Sequence, residues 1–474
     1  MILDVAATRA RLTPDAPALL WQGRWLTYAE LDDRAERLAA ALRAAGVGKG
    51  DRVALLAHNH VAHVDMILAT AKTGAVYTPL NVRLAEREQR ELAAYLRPAL
   101  VMHDDDNAAK AAATGVRTWD LGEHEARLAA AEPAPRAPGY DAVVGPEDVQ
   151  MILLTGGTTG LPKGAMLPYR QGFYNAVNTV MSWGLRADDC VVQATPCYHA
   201  AVNAFTVPLL HVGGRVVLQR AFDPGEYLRL VQEARATVMF LVPTMFHMLA
   251  AHESFARADL SGVRWAISGG APCPEPVRAA FTRRGVPMRQ GYGLTEAGVN
   301  CFATTQDVAD AKPHSVGVPM LHGEAVVRRP DGTPCEPGET GELTLRGPHV
   351  FLGYFEREEA TREVLRDGWL RTGDLGTIDT TGLVRLQGRI GEMYIRGGYN
   401  VHPQEVEAVL GRHPGVAQVA VVARPDEVMG EVGVAVVVPA DPAAPPSLAD
   451  LRDAAGTDLA RHKLPEDLVV RDEL

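Results

Sequence analysis

The sequence predicts an α/β protein in two unequal parts, a large N-terminal domain built on largely parallel sheets and a small α+β domain after it. Three observations predict this. Short apolar runs at residues 53–57, 151–154, 191–194, 215–218, 238–242 and 265–267 alternate with segments of helical period, the signature of strand–helix–strand units. Beyond Gly338 the pattern turns to short strands with glycine turns, and beyond Gly388 it changes again to helix, strand, strand, helix. A chain of 474 residues also exceeds what one ordinary core accommodates.

The elements follow in order. Thr27 and Glu30 stand three apart before Leu31, Ala35, Leu38, Ala39 and Leu42, a capping box opening an apolar helical stripe. Gly46-Val47-Gly48 then leads into the buried strand at 53–57. Residues from about 108 to 145 are rich in Ala, Pro and Glu and read as a surface connection that carries no chemistry. Near the C-terminus, residues 403–410 read as a helix, 416–423 and 432–438 as strands, and 448–459 as a last helix. The chain shows no internal repeat.

Composition narrows the function. A net charge of -11 disfavours a nucleic-acid binder, whose affinity would rest on a basic face. Any polyphosphate ligand must meet local positive charge or backbone N–H groups. The five cysteines show no C-x-x-C spacing, which disfavours a disulfide framework and a zinc ribbon. The N-terminus lacks a basic-then-apolar signal and no eighteen apolar residues run uninterrupted, so a cytoplasmic protein without an integral membrane segment is expected.

The most informative stretch is Thr155-Gly156-Gly157-Thr158-Thr159-Gly160-Leu161-Pro162-Lys163-Gly164, directly after the run at 151–154. Glycines let backbone N–H groups approach an anion, threonine hydroxyls add donors and Lys163 adds a mobile charge. Phosphate binding is expected, with a plain glycine-rich surface loop as the alternative. A Walker A loop is excluded, because there Gly precedes the Lys and Ser or Thr follows it, whereas Lys163 lies between Pro162 and Gly164.

The stretch resembles the phosphate loop of the adenylate-forming superfamily, which includes acyl-CoA synthetases, luciferases and peptide-synthetase adenylation domains. Gly156 stands where that family commonly has Ser. Further segments of the family occur downstream in its order. Ser268-Gly269-Gly270-Ala271-Pro272 resembles its adenine-side loop. Gly291-Tyr292-Gly293-Leu294-Thr295-Glu296 resembles the segment whose aromatic stacks on adenine, whose Thr meets the α-phosphate and whose Glu holds Mg²⁺; the resemblance adds Thr159 as a second metal contact. Asp374, in Gly373-Asp374-Leu375-Gly376, stands where the family's Asp accepts from both ribose hydroxyls. Arg389 stands in the ribose- and phosphate-contacting place. Taken singly, each segment also fits an ordinary glycine turn or capping residue.

The resemblance implies a large domain of parallel-sheet α/β subdomains with a small β-barrel-like part over residues 1–387, a hinge at 388–391, and a small mobile α+β domain over 392–474. Gly391 occupies the pivot where the family usually has Asp or Lys. Arg396-Gly397-Gly398-Tyr399-Asn400-Val401 resembles the segment lining the pantetheine tunnel, although a hairpin turn fits the spacing equally well. Pro196-Cys197-Tyr198-His199 resembles the position where a side chain gates the carboxylate pocket, with Cys197 read as buried packing. His58, His60 and His63 invite a metal reading, but Ala62 stands where a hydrolase-type pattern needs Asp. They are read instead as part of a turn around Asn59.

The implied activity is an ATP-dependent carboxylic acid–CoA ligase: acid and ATP give acyl-AMP and pyrophosphate, then the acyl group passes to CoA. Implied catalytic residues are Lys163, His199, Thr295 and Glu296. The implied ligands are ATP or AMP, Mg²⁺, CoA and a medium-chain fatty or aryl acid, in a monomer or homodimer. An amide synthetase, a carrier-protein-loading enzyme and a non-catalytic nucleotide-binding protein are the alternatives. The pocket walls are expected around 199–205, 243–247, 268–270 and 298–302, bounded by Phe205 and Phe246. After the hinge the only lysine is Lys463, in a segment that resembles the one preceding the family's catalytic lysine. A shortened parent chain is the expected reason, with a natural variant lacking that lysine as the alternative; slow adenylation but retained thioester formation from a supplied acyl-AMP is expected.

Overall fold

The computed structural model describes residues 4–133, 143–156, 161–391, 393–396, 399–426, 428–456 and 458–474. Its first sheet runs, edge to edge, through the strands Gly353–Tyr354, Lys163–Pro168, Val149–Thr155, Val76–Pro79, Arg52–Leu56, Leu100–His103 and Thr118–Asp120. The last five are mutually parallel. Arg52–Leu56 is buried from Val53 onward on both faces, as a strand covered by helices on both sides must be. The helix Tyr28–Ala44 forms the expected capping box between Thr27 and Glu30 and buries Leu31, Ala35, Leu38, Ala39 and Leu42.

A second, mostly parallel sheet is ordered Met288–Gln290, Trp265–Ser268, Val238–Leu241, Cys190–Gln193, Arg215–Leu218, Pro17–Trp21 and Arg24–Thr27. The two sheets lie close enough for one side chain to join them. Asn59, at the end of Arg52–Leu56, donates to the carbonyls of Thr195 and Gln219 and accepts from the N–H of Cys197. The part expected to be β-barrel-like is an antiparallel sheet running Phe302–Ala303, Ser315–Pro319, Val384–Arg389, Trp369–Ile378, Gly341–Arg346 and Glu324–Arg328.

That sheet ends at Arg389, and from Tyr394 the chain enters a fourth sheet of Tyr399–Val401, Tyr394–Arg396, Gly430–Pro439 and Val416–Asp426, with Asp467–Val470 alongside. The helices Pro403–Leu410 and Leu448–Ala455 cover it. Tyr394, Val406, Leu410, Val421, Val437 and Leu451 belong to a core of its own. No helix among the described residues is long and apolar enough to cross a membrane.

One expectation is corrected. The stretch read as a surface connection holds the helix Ala108–Ala113, the edge strand Thr118–Asp120 and the helix His124–Ala130. His124 is buried and bonds the buried carboxylate of Asp65 at 2.8 Å. Alanine and glutamate favour helix as readily as they suit a linker, and a three-residue edge strand leaves no apolar run to detect. Residues 134–142 lie outside the described set.

Candidate active site

Thr155 and Lys163 face one another as Cα partners of an antiparallel pair, so the two ends of the phosphate loop are fixed by a hairpin. Close approach at its base requires glycine, since a Cβ on Gly164 would lie 2.7 Å from Ile152 Cγ2. Gly157, Thr158, Thr159 and Gly160 lie outside the described residues. The strand Gly353–Tyr354 pairs with the Lys163 strand on its far side. Tyr354 thereby reaches both charged groups: the Lys163 ammonium lies 4.9 Å from its ring centroid, and its hydroxyl donates to Glu296 Oε1 at 2.8 Å.

Glu296 sits in a short 3-10 turn, Thr295–Ala297, and is buried. The segment leading to it is held at several points. Gly291 donates its N–H to the carbonyl of Ser268 at 2.8 Å, and Gln171 donates to the carbonyl of Thr295 at 2.9 Å. Gly293 admits no side chain, because a Cβ would lie 2.2 Å from the carbonyl oxygen of Val299. The carboxamide of Gln290 donates to the carbonyls of Ser268, Ala271 and Gly291 and accepts from the N–H of Cys273. It thus binds the Ser268–Pro272 loop to the Gly291–Glu296 segment. In that loop Gly269 is buried against Phe240, whereas Gly270, Ala271 and Pro272 are exposed.

Asp374 completes the cluster. Tyr292 donates its hydroxyl to Asp374 Oδ2 at 2.5 Å, and Arg389 donates Nε–H to Oδ1 at 2.8 Å. The Tyr292 ring is half-buried and stacks at a tilt on Phe302, with centroids 5.6 Å apart. Burial, then the neighbouring Asp374 charge, pushes the Tyr292 hydroxyl well above its ordinary pKa, so it remains a donor. A carboxylate accepts up to about four hydrogen bonds, so Asp374 retains capacity for a vicinal diol.

The donor set fits a hard divalent cation. Glu296 supplies a buried carboxylate whose partner among the described residues is one neutral hydroxyl, and Mg²⁺ takes one or two carboxylates together with phosphate oxygens and water. Glu296 and Lys163 make no ion pair with each other.

His199 is exposed at the start of the short turn Ala200–Asn203, its ring 4.7 Å from that of Tyr198. Although the ring reaches solvent, nearby protein and then the Arg83 guanidinium disfavour its proton and lower its pKa. Burial raises the thiol pKa of Cys197 strongly, which suits packing and not a nucleophile. The three histidines do not converge. His58 bonds Asp104, His60 accepts from the N–H of Ala62, and buried His63 bonds the Tyr77 hydroxyl. Beside His58, Arg220 already supplies the countercharge to Asp106 at 2.6 Å.

Two family models match this chain: AMP-binding enzyme over residues 6–355, and AMP-binding enzyme C-terminal domain over residues 405–474. The chain belongs to the AMP-binding enzyme family. It is 41% identical over 470 residues to a feruloyl-CoA synthase of an Amycolatopsis species, covering 98% of this chain and 94% of that protein. Indoleacetate–CoA ligase of Aromatoleum aromaticum is 37% identical over 479 residues, with 98% and 93% covered. The o-succinylbenzoate CoA synthetase of Bacillus subtilis, solved with its acyl-adenylate intermediate, superposes with a TM-score of 0.90 at 30% identity, covering 99% of this chain and 95% of that one. The same Bacillus enzyme has been solved with ATP and magnesium ion. This AMP-binding enzyme is an acid–CoA ligase that uses ATP, Mg²⁺ and CoA.

Within this AMP-binding enzyme, Thr155, Lys163, Gly291, Tyr292, Thr295, Glu296, Asp374 and Arg389 converge through the contacts above. Gly397 and Gly398 lie outside the described residues, as does Glu392. The expected aromatic bounds of the acid pocket are corrected. Phe246 is fully buried against Phe281, and Phe205 is fully buried against Phe240 and Trp265. By strand alternation Met239 and Leu241 turn into one core, so half-buried Phe240 turns the other way, toward Gly269. Sequence reasoning also missed Tyr354, Gln171 and Gln290. Only Gln290 left a signal, as a polar residue ending a strand immediately before Gly291.

Proposed function

We propose that this ligase activates an aryl carboxylic acid. Lys163 and the loop before it hold the triphosphate, Thr295 meets the α-phosphate, and Glu296, with Thr159, holds Mg²⁺. Asp374 and Arg389 take the ribose, Tyr292 stacks on the base beside the 269–272 loop, and His199 orients the substrate carboxylate. The metal, when bound, neutralises phosphate charge at the reacting centre. The substrate carboxylate oxygen attacks the α-phosphorus and pyrophosphate leaves; the CoA sulfur then attacks the acyl carbon, its proton passes to solvent and AMP leaves.

The observation that carries the reading is the convergence of Glu296, Lys163 and Asp374 through two tyrosines, with Phe240 against Gly269 of the adjoining loop. An aryl acid is favoured by the substrates named for the feruloyl, indoleacetate and o-succinylbenzoate relatives. It is also favoured by the half-buried aromatic ring of Phe240, which lies against Gly269. We also propose the division into residues 1–387, a hinge at 388–391 and residues 392–474, supported by the change of sheet after Arg389 and the separate small core. Rotation there would exchange one set of catalytic groups for another. The test is a panel of acids, read by acid-dependent pyrophosphate release and by thioester formation from synthetic acyl-adenylates with CoA. Arylacrylic or arylacetic acids are expected to exceed alkanoic acids at least tenfold in kcat/KM. An alkanoate preference would overturn the aryl assignment.

A further inference from the structure

The segment after Val350 brackets the nucleotide site. Phe351 donates its N–H to the carbonyl of Glu296 at 2.8 Å, while Leu352 and Phe355 donate theirs to the carbonyls of Met166 and Gly164 on the Lys163 strand. One short run of chain therefore fixes the backbones that carry both charged groups, and the side chain of Tyr354 meets both. Tyr354 is itself buried and fastened, its N–H donating to Thr361 Oγ1 at 2.9 Å.

A buried carboxylate and a half-buried ammonium this close would gain by pairing directly, since attraction strengthens where water is excluded. Such a pair would neutralise both groups before any ligand arrived. The aromatic ring gives the ammonium its negative face instead, and the hydroxyl gives the carboxylate one charge-assisted hydrogen bond.

We propose that Tyr354 is a positioning residue for the metal and triphosphate, holding Glu296 and Lys163 apart and each aimed inward until Mg²⁺ and ATP engage them. This rests on the roles proposed above for those two residues. Removing only the hydroxyl leaves the lysine on its ring and the carboxylate unanchored, so metal dependence should change first. Removing the ring as well lets the lysine close on the glutamate, so nucleotide affinity should fall at every Mg²⁺ concentration.

The experiment measures ATP binding by calorimetry across a Mg²⁺ titration, without acid or CoA, for the native chain, Tyr354→Phe, Tyr354→Leu and Glu296→Gln. Tyr354→Phe is expected to raise the half-saturating Mg²⁺ concentration roughly three- to tenfold while ATP affinity at saturating Mg²⁺ stays within twofold. Tyr354→Leu is expected to lose at least tenfold in affinity even at saturating Mg²⁺. A lowered Tm in Tyr354→Phe with an unmoved Mg²⁺ midpoint marks a merely structural residue and overturns the proposal. Glu296→Gln separates the two levels. If it shifts the midpoint and Tyr354→Phe does not, the tyrosine role alone is wrong; if Glu296→Gln leaves the midpoint unmoved, the assignment of the metal to Glu296 fails and takes the tyrosine role with it.

Discussion

Arg389 and Asp374 face one another across an antiparallel pair, and the Arg389 guanidinium holds Asp374 Oδ1 at 2.8 Å. Arg389 is the last residue of its strand, immediately before the exposed turn that leads to the fourth sheet. The carboxylate proposed for ribose is thus tied to the start of the proposed hinge. Asp374→Ala removes the acceptor shared by Arg389 and Tyr292, and each hydrogen bond to a charged group is worth about 1.5–3 kcal/mol. ATP affinity is expected to fall at least tenfold by calorimetry, with Asp374→Asn intermediate because it keeps an acceptor oxygen. Unchanged affinity in Asp374→Ala would remove this residue from the nucleotide site.

Acid stability is expected to follow the buried histidines. His63 is fully buried, and burial pushes its pKa down to about 4 despite hydrogen bonds to backbone carbonyls. Burial lowers His60 and His349 to about 4 as well. An unfolded imidazole takes its proton near pH 6.5. Stability is therefore complete above about pH 6.5 and is lost as pH falls toward 4, with a slope of about 1.4 kcal/mol per pH unit for each histidine. Asp65, held down to about 2 against its own burial by Arg34 and His124, keeps its full contribution across this window and loses it only as pH falls through the carboxylate range. Denaturant titrations between pH 8 and 5 should show the loss, and His63→Gln should reduce the slope by about one proton. A slope identical in His63→Gln would refute the assignment.

Much of this site was legible because its segments are contiguous. The loop from Thr155 to Lys163, the run from Gly291 to Glu296 and the short stretch around Asp374 each carry their chemistry within a few residues, and the parallel strands announce themselves as apolar runs. What stayed hidden depends on pairing between distant segments. Tyr354 reaches Lys163 and Glu296 because its strand joins the edge of the first sheet, and no local pattern encodes that register. Phe240 was passed over in favour of Phe205 and Phe246 because the face to which an aromatic turns is decided by its strand or helix. The sheet edge at Thr118–Asp120 was missed because three residues cannot show a period.

Lys463 is engaged within the small domain. Its ammonium donates to both carboxylate oxygens of Glu405 at 2.7 Å, with the two side chains 24% and 34% exposed. A pair of this exposure contributes about 0–1 kcal/mol. Lys463→Ala is expected to lower small-domain stability by no more than that and to leave acid-dependent pyrophosphate release within about twofold. A loss of a hundredfold or more would show that Lys463 leaves Glu405 during turnover and acts on the reacting phosphate.

Gly391 tests the hinge. Its φ is +93°, a conformation that favours glycine, and a Cβ there would meet nothing within 4 Å. Backbone strain, and not steric obstruction, therefore limits substitution. Gly391→Ala is expected to cost about 1 kcal/mol and to spare most activity. Proline fixes φ near -65°, so Gly391→Pro excludes this path between the third and fourth sheets while leaving Lys163, Glu296 and Asp374 in place. ATP binding is expected to stay within twofold in Gly391→Pro, whereas thioester formation from acid, ATP and CoA falls at least tenfold. Native turnover in Gly391→Pro would mean that the two domains do not exchange positions about this residue, and the pivot would have to be sought elsewhere between Gly388 and Tyr394.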